Sequence, residues 1–114
     1  MSRRLQGPFK CHDSDLILNG EIKIDVFADR FVIAISLVGY YKSHVLSIDR
    51  LMHNIDIAEK FDPSILFGEN GLQFDCMLSE GCLIKSGNVA FDLSEDQWSE
   101  LRGLLSDLAE EANA

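Results

Sequence analysis

From residue 65 to residue 93 the chain breaks into four short apolar runs with turn formers between each pair. That cadence makes a meander of antiparallel strands the natural outcome, because such short connections join antiparallel neighbours. The runs are Ile65-Leu66-Phe67, Leu72/Phe74/Cys76, Cys82-Leu83-Ile84 and Val89/Phe91/Leu93. The turns fall at residues 68–71, at Ser79-Glu80-Gly81 and at Ser86-Gly87-Asn88, where Gly, Asn and Ser supply the backbone freedom a tight reversal needs.

The first half adds strands of a different kind. Leu16-Ile17-Leu18 and Glu21-Ile22-Lys23-Ile24-Asp25-Val26 flank Asn19-Gly20. Asn-Gly between apolar runs predicts a hairpin, since both central residues of a type I′ turn need positive φ. The second arm alternates apolar and charged residues, the pattern of a strand with one buried face. Residues 31–38 are apolar on both faces except for Ser36, which suits a central strand covered on both sides. Residues 40–46 continue as a further strand.

Two helices complete the pattern. Ser47 is placed to cap the first, in which Ile48, Leu51, Met52, Ile55, Ala58 and Phe61 recur at helical spacing. Asp56 and Lys60 form a favourable i,i+4 pair, and Pro63 ends the helix. The second starts at Ser94, with Gln97 completing a capping box and Leu93 and Trp98 at the positions of a hydrophobic staple. Glu95 and Asp96 suit the positive end of its dipole. Trp98, Leu101, Leu105, Leu108 and Ala112 form its apolar stripe, while Asp96, Glu100, Asp107, Glu110 and Glu111 lie across the other side. Gly103 sits among the polar positions, where it costs about 1 kcal/mol relative to Ala.

The expected fold is therefore α+β. It is a mainly antiparallel sheet of about six or seven strands, with one mid-chain helix and one C-terminal acidic amphipathic helix packed on it. Residues 1–12, polar and broken by Gly7-Pro8, are expected as a loosely ordered N-terminal arm. Residues 13–114 are expected as a single domain, and 114 residues suffice for one real core.

Composition narrows the function classes. The longest apolar run, residues 31–35, is too short to cross a membrane as a helix. Leu16-Ile17-Leu18 is too short for a signal-peptide core behind Arg3 and Arg4. Three cysteines, an odd number, do not suggest a secreted disulfide framework. The expectation is a cytoplasmic protein.

Charge is divided sharply. Residues 1–60 hold eight Lys/Arg and eight Asp/Glu, and residues 61–114 hold two against eleven, so the whole net charge of −9 lies in the second half. A pI near 4.6 argues against direct nucleic-acid binding and against docking on anionic lipid. It favours a basic protein surface as partner.

Motifs for chemistry are sparse. Cys11, His12, His44, His53, Cys76 and Cys82 are the candidate metal ligands, and none shows paired spacing for zinc. Cys76 and Cys82 read as small apolar fillers in adjacent strands. No nucleophile elbow, Walker sequence or dinucleotide fingerprint is present, so no catalytic residue, metal or cofactor is assigned. Asp13-x-Asp15 reads as a solvated turn, and His53, four residues after Asp49, as a surface pair.

Gly39-Tyr40-Tyr41-Lys42-Ser43-His44 carries more information. Adjacent tyrosines cannot both point inward from a strand. One is therefore expected to be exposed beside Lys42 and His44, as on recognition surfaces, or to cover a sheet edge.

The stretch Leu93-Ser94-Glu95-Asp96-Gln97-Trp98-Ser99-Glu100-Leu101 resembles the end of the single-strand-DNA-binding transcriptional coactivators, in which a short antiparallel sheet precedes one capped, Trp-bearing helix. That family's sheet is rich in Lys and aromatics, whereas the meander here offers only Lys85, so its function is not carried over. The order strands–helix–strands–acidic helix also resembles small immunity and inhibitor proteins.

Three functions are expected in turn. The first is a non-enzymatic acidic module that docks on a basic partner surface through Glu95, Asp96, Glu100, Asp107, Glu110 and Glu111, with Tyr40, Tyr41, Lys42 and His44 as a second contact segment. The second is a nucleic-acid mimic. The third is a small ligand-binding or enzymatic domain with a pocket near Tyr40, Tyr41, His44 and His53. A homodimer, through a sheet edge or the Trp98 stripe, is compatible with each.

Overall fold

The computed structural model describes residues 2–60, 65–77 and 81–113. Its strands are β1 (Ser2–Gln6), β2 (Phe9–Cys11), β3 (Ile17–Leu18), β4 (Gly20–Phe27), β5 (Arg30–Leu37), β6 (Tyr40–Ser47), β7 (Ile65–Glu69), β8 (Leu72–Met77), β9 (Gly81–Ser86) and β10 (Val89–Leu93). Helix α1 (Ile48–Lys60) follows β6, and α2 (Glu95–Ala112) follows β10. The α+β class and both helices agree with expectation. The turns around residue 79 and at Pro63 lie outside the described residues.

One expected sheet is in fact two. The first has the order β1-β4-β5-β6 and the second β3-β2-β10-β9-β8-β7, with every pairing antiparallel. Two of the strands beyond the expected six or seven come from the N-terminal segment. Residues expected as a loose arm form β1, paired along β4, and β2, paired with β10. Their anchors are Leu5 and Phe9, both fully buried. Two apolar side chains within a polar stretch outweigh its local tendency to disorder, because each fills a space in a different sheet.

Asn19-Gly20 does not form the expected hairpin. β3 pairs with β2, while β4 pairs with β1 and β5, so the chain crosses from one sheet to the other at this dipeptide. Gly20 is needed for space: a Cβ there would lie 2.1 Å from the Ser36 carbonyl oxygen. The Gly7 amide donates to the Gly20 carbonyl at 2.8 Å and ties the two crossings together. The Asn-Gly that does act as a tight turn is Asn70-Gly71, between β7 and β8, with φ of 52° and 83°, the positive pair a type I′ turn requires.

The inner faces of the sheets meet the helices in one core. Ile22, Ile33 and Ile35 of the first sheet, Leu72, Phe74 and Ile84 of the second, and Leu101 and Leu105 of α2 surround a residual space of about 10 Å³, around the smallest that admits one water. The core there is closely packed. Phe74 bridges Phe67 and Trp98 at centroid distances of 5.1 and 6.1 Å. On α1, Ile48, Leu51 and Ile55 are buried. The stripe of α2 is Trp98, Leu101, Leu105, Leu108 and Ala109. Ala112, expected in the stripe, is exposed, and Ala109, one residue after Leu108, takes the inner position.

Candidate functional site

Helix α2 owes its definition to local chemistry at its start. The Gln97 amide donates to Ser94 Oγ at 3.2 Å, and the Ser94 amide donates to Gln97 Oε1 at 3.0 Å, closing the capping box. Gln97 Nε2 also donates to the Pro8 carbonyl at 2.8 Å, fastening the helix start to the β1–β2 connection. At 100° per residue the five buried positions span an arc of about 100°, and Glu95, Asp96, Glu100, Asp107, Glu110 and Glu111 span about 160° on the other side. All six carboxylate residues are exposed. Ser99, Gly103 and Ser106 fall between them, and a Cβ on Gly103 would meet nothing within 4 Å.

Ion pairing concentrates this anionic character. Seven of the ten Lys/Arg residues pair with a carboxylate: Arg3, Arg4, Lys10, Lys23, Arg30, Lys60 and Arg102. Of the six α2 carboxylates only Glu111 takes part among the described residues, with Arg3 at 2.9 Å. Glu95, Asp96, Glu100, Asp107 and Glu110 have no ion pair among the described residues. Arg102 turns away to Glu59 of α1 and lies 5.8 Å from the Trp98 ring. Among the described residues the cations of the first half are thus largely paired within the fold, and the acidic side of α2, Glu111 apart, is not.

The β6 segment divides in two. Tyr41 is 70 % exposed, whereas Tyr40 is half-buried, so one tyrosine of the pair faces solvent, as strand geometry demands. Lys42 is exposed. His44 is buried and fully engaged: Nδ1 lies 2.9 Å from the Asn70 carbonyl and Nε2 lies 2.7 Å from Ser86 Oγ. A carbonyl only accepts, so Nδ1 carries a proton and, in the neutral ring, Nε2 accepts from the Ser86 hydroxyl. Tyr40 donates to the Ser86 carbonyl at 2.8 Å and lies 2.9 Å from Ser86 Oγ.

This chain of bonds joins the two sheets, and it takes His44 out of the exposed candidates. His53 is exposed on α1 and is not part of it. Among the described residues, none of the pockets found is lined by Tyr40, Tyr41, His44 or His53. Asn70 also donates from Nδ2 to the Val45 carbonyl, and Glu69 Oε1 accepts from the Ser47 amide at 3.3 Å. These contacts cover part of the outer edge of β6.

Sequence reasoning missed Ser86, Asn70 and a polar cluster at the end of β2 and on β10. There His12 Nδ1 lies 3.0 Å from Asp92 Oδ1, and Lys10 lies 3.6 Å from Asp92 Oδ2. Lys10 stands opposite Asp92 only through the β2–β10 pairing, and the sequence offers no local signal for it. The cluster borders a groove of about 710 Å³ that also reaches Ile17, Asp75, Leu83 and Gln97. Among the described residues no three His, Cys, Asp or Glu side chains converge on a metal position, and no helix is long and apolar enough to cross a membrane. The chain matches no family model, no curated protein and no solved structure.

Proposed function

We propose that this protein is a small, non-enzymatic, cytoplasmic binding module that docks the acidic side of α2 on a basic surface of a partner protein and inhibits or tethers it. The observation that carries this reading is that Glu95, Asp96, Glu100, Asp107 and Glu110 have no ion pair among the described residues, in a fold that pairs most of its cations elsewhere. Uncompensated charge on one side of a molecule raises encounter rates with an oppositely charged surface. The small residues Ser99, Gly103 and Ser106 let such a surface approach the helix closely. Tyr41 and Lys42, exposed on β6, offer a second contact segment.

The test is affinity capture from native lysate at about 50 and 500 mM salt, which spans weak to strong screening. The wild-type chain is compared with one carrying E95Q, D96N, E100Q, D107N and E110Q. Capture of a basic protein at low salt, lost both at high salt and in the substituted chain, supports the proposal. Capture indifferent to both overturns it. A nucleic-acid mimic would place the same carboxylates where phosphates lie, and their alignment on one helix side favours it as the second reading. Displacement of the captured partner by a short oligonucleotide distinguishes it from the first.

A further inference from the structure

We infer that Cys76 and Cys82 form a cross-strand redox pair that closes to a disulfide between β8 and β9 while Cys11 remains a free thiol. Register places the pair: Cys76 lies opposite Cys82 on adjacent antiparallel strands. Opposite residues of such strands have Cα atoms about 4.5–5.5 Å apart, within the range of about 4.4–6.8 Å that a disulfide spans. Both side chains are buried on the core face, with their Sγ atoms 2.9 Å apart. Reaching a bond length of about 2.05 Å takes less than about 1 Å of closure.

Cys11 is excluded by topology. It stands opposite Phe91 of β10, and β10 lies between β2 and β9. Two strand spacings, about 10 Å, separate it from Cys82, beyond the reach of about 7 Å for a bridge. An odd cysteine count is thus one pair plus one free thiol. The alternative role, two small apolar fillers, makes no use of the sulfurs facing each other.

Closure belongs to folding, or to moments when the strands part. In the folded reduced protein burial, and after it the hydrogen bond and charge of Cys76, push the Cys82 thiol far above its ordinary range. A protonated, enclosed thiol is a poor nucleophile. With the strands apart, a thiolate of either cysteine attacks a low-molecular-weight disulfide such as oxidised glutathione, breaking its S–S bond and releasing one thiol. The second cysteine then displaces the other half from the mixed disulfide. The two cysteines lose two electrons and two protons, and the reagent leaves as two thiols.

The full chain, unfolded and refolded in a glutathione redox buffer, is alkylated and analysed by intact mass and peptide mapping. The expected product is two hydrogens lighter than the reduced chain before alkylation. Cys76 is joined to Cys82, Cys11 alone is alkylated, and Tm is roughly 5–10 °C above that of the reduced protein. A C11S chain is expected to form the same bridge. Three alkylatable thiols, a bridge that includes Cys11, or a bridged form no more heat-stable than the reduced one would overturn the inference.

Discussion

His44 shows how one residue changes meaning once its surroundings are known. In the sequence it stands beside Tyr40, Tyr41 and Lys42 as a recognition candidate. In the fold both ring nitrogens are occupied by Asn70 and Ser86, and Ser86 is itself fully buried. A buried polar group left without a partner costs about 1–3 kcal/mol. Ser86→Ala is therefore expected to lower stability by that amount in urea unfolding, because it strips Nε2 of its hydroxyl partner. Tyr41→Ala, at an exposed position, is expected to stay within about 0.5 kcal/mol of wild type. Equal losses for the two would show that the bond chain does not couple the sheets. Nothing near His44 in sequence announces these partners: Asn70 and Ser86 lie 26 and 42 residues away.

Elements were readable wherever their signals were local. The start of α2, with its Ser94 box, depends on residues a few positions apart, and the box stands as expected. The order of β7 to β10 follows from turn formers between short runs and also holds. The two Asn-Gly dipeptides mark where this reasoning fails. Both satisfy the turn rule, yet only Asn70-Gly71 forms the turn, while Gly20 serves a close crossing beneath Ser36. Helix α2 allows a paired check of opposite sign. Ser94→Ala is expected to cost about 0.5–2 kcal/mol through loss of the cap. Gly103→Ala, into open space on the exposed side, is expected to add about 1 kcal/mol. Denaturant midpoints measure both, and a destabilising Gly103→Ala would mean that α2 is not helical through that position.

At the scale of the whole molecule the N-terminal segment contributes one strand to each sheet, so its removal has a definite consequence. A chain starting at residue 12 loses Leu5 and Phe9 from the core and uncovers Ile22 of β4 and Phe91 of β10, their opposite or ring-packed neighbours. It is expected to lose cooperative thermal unfolding in circular dichroism. A truncated chain that unfolds like the full one would return residues 1–12 to the status of a loose arm. The charge map also belongs to this scale. The sequence by itself determined the α+β class, the start of each helix, the meander order and the confinement of net negative charge to the second half, since each rests on neighbours along the chain or on simple counting. Only the tertiary structure decided that the strands divide into two sheets, that β1 and β2 complete them, that His44 is buried, and which carboxylates remain unpaired. Those outcomes depend on contacts between residues far apart in sequence, where burial of side chains such as Leu5 and Phe9 outweighs local preference.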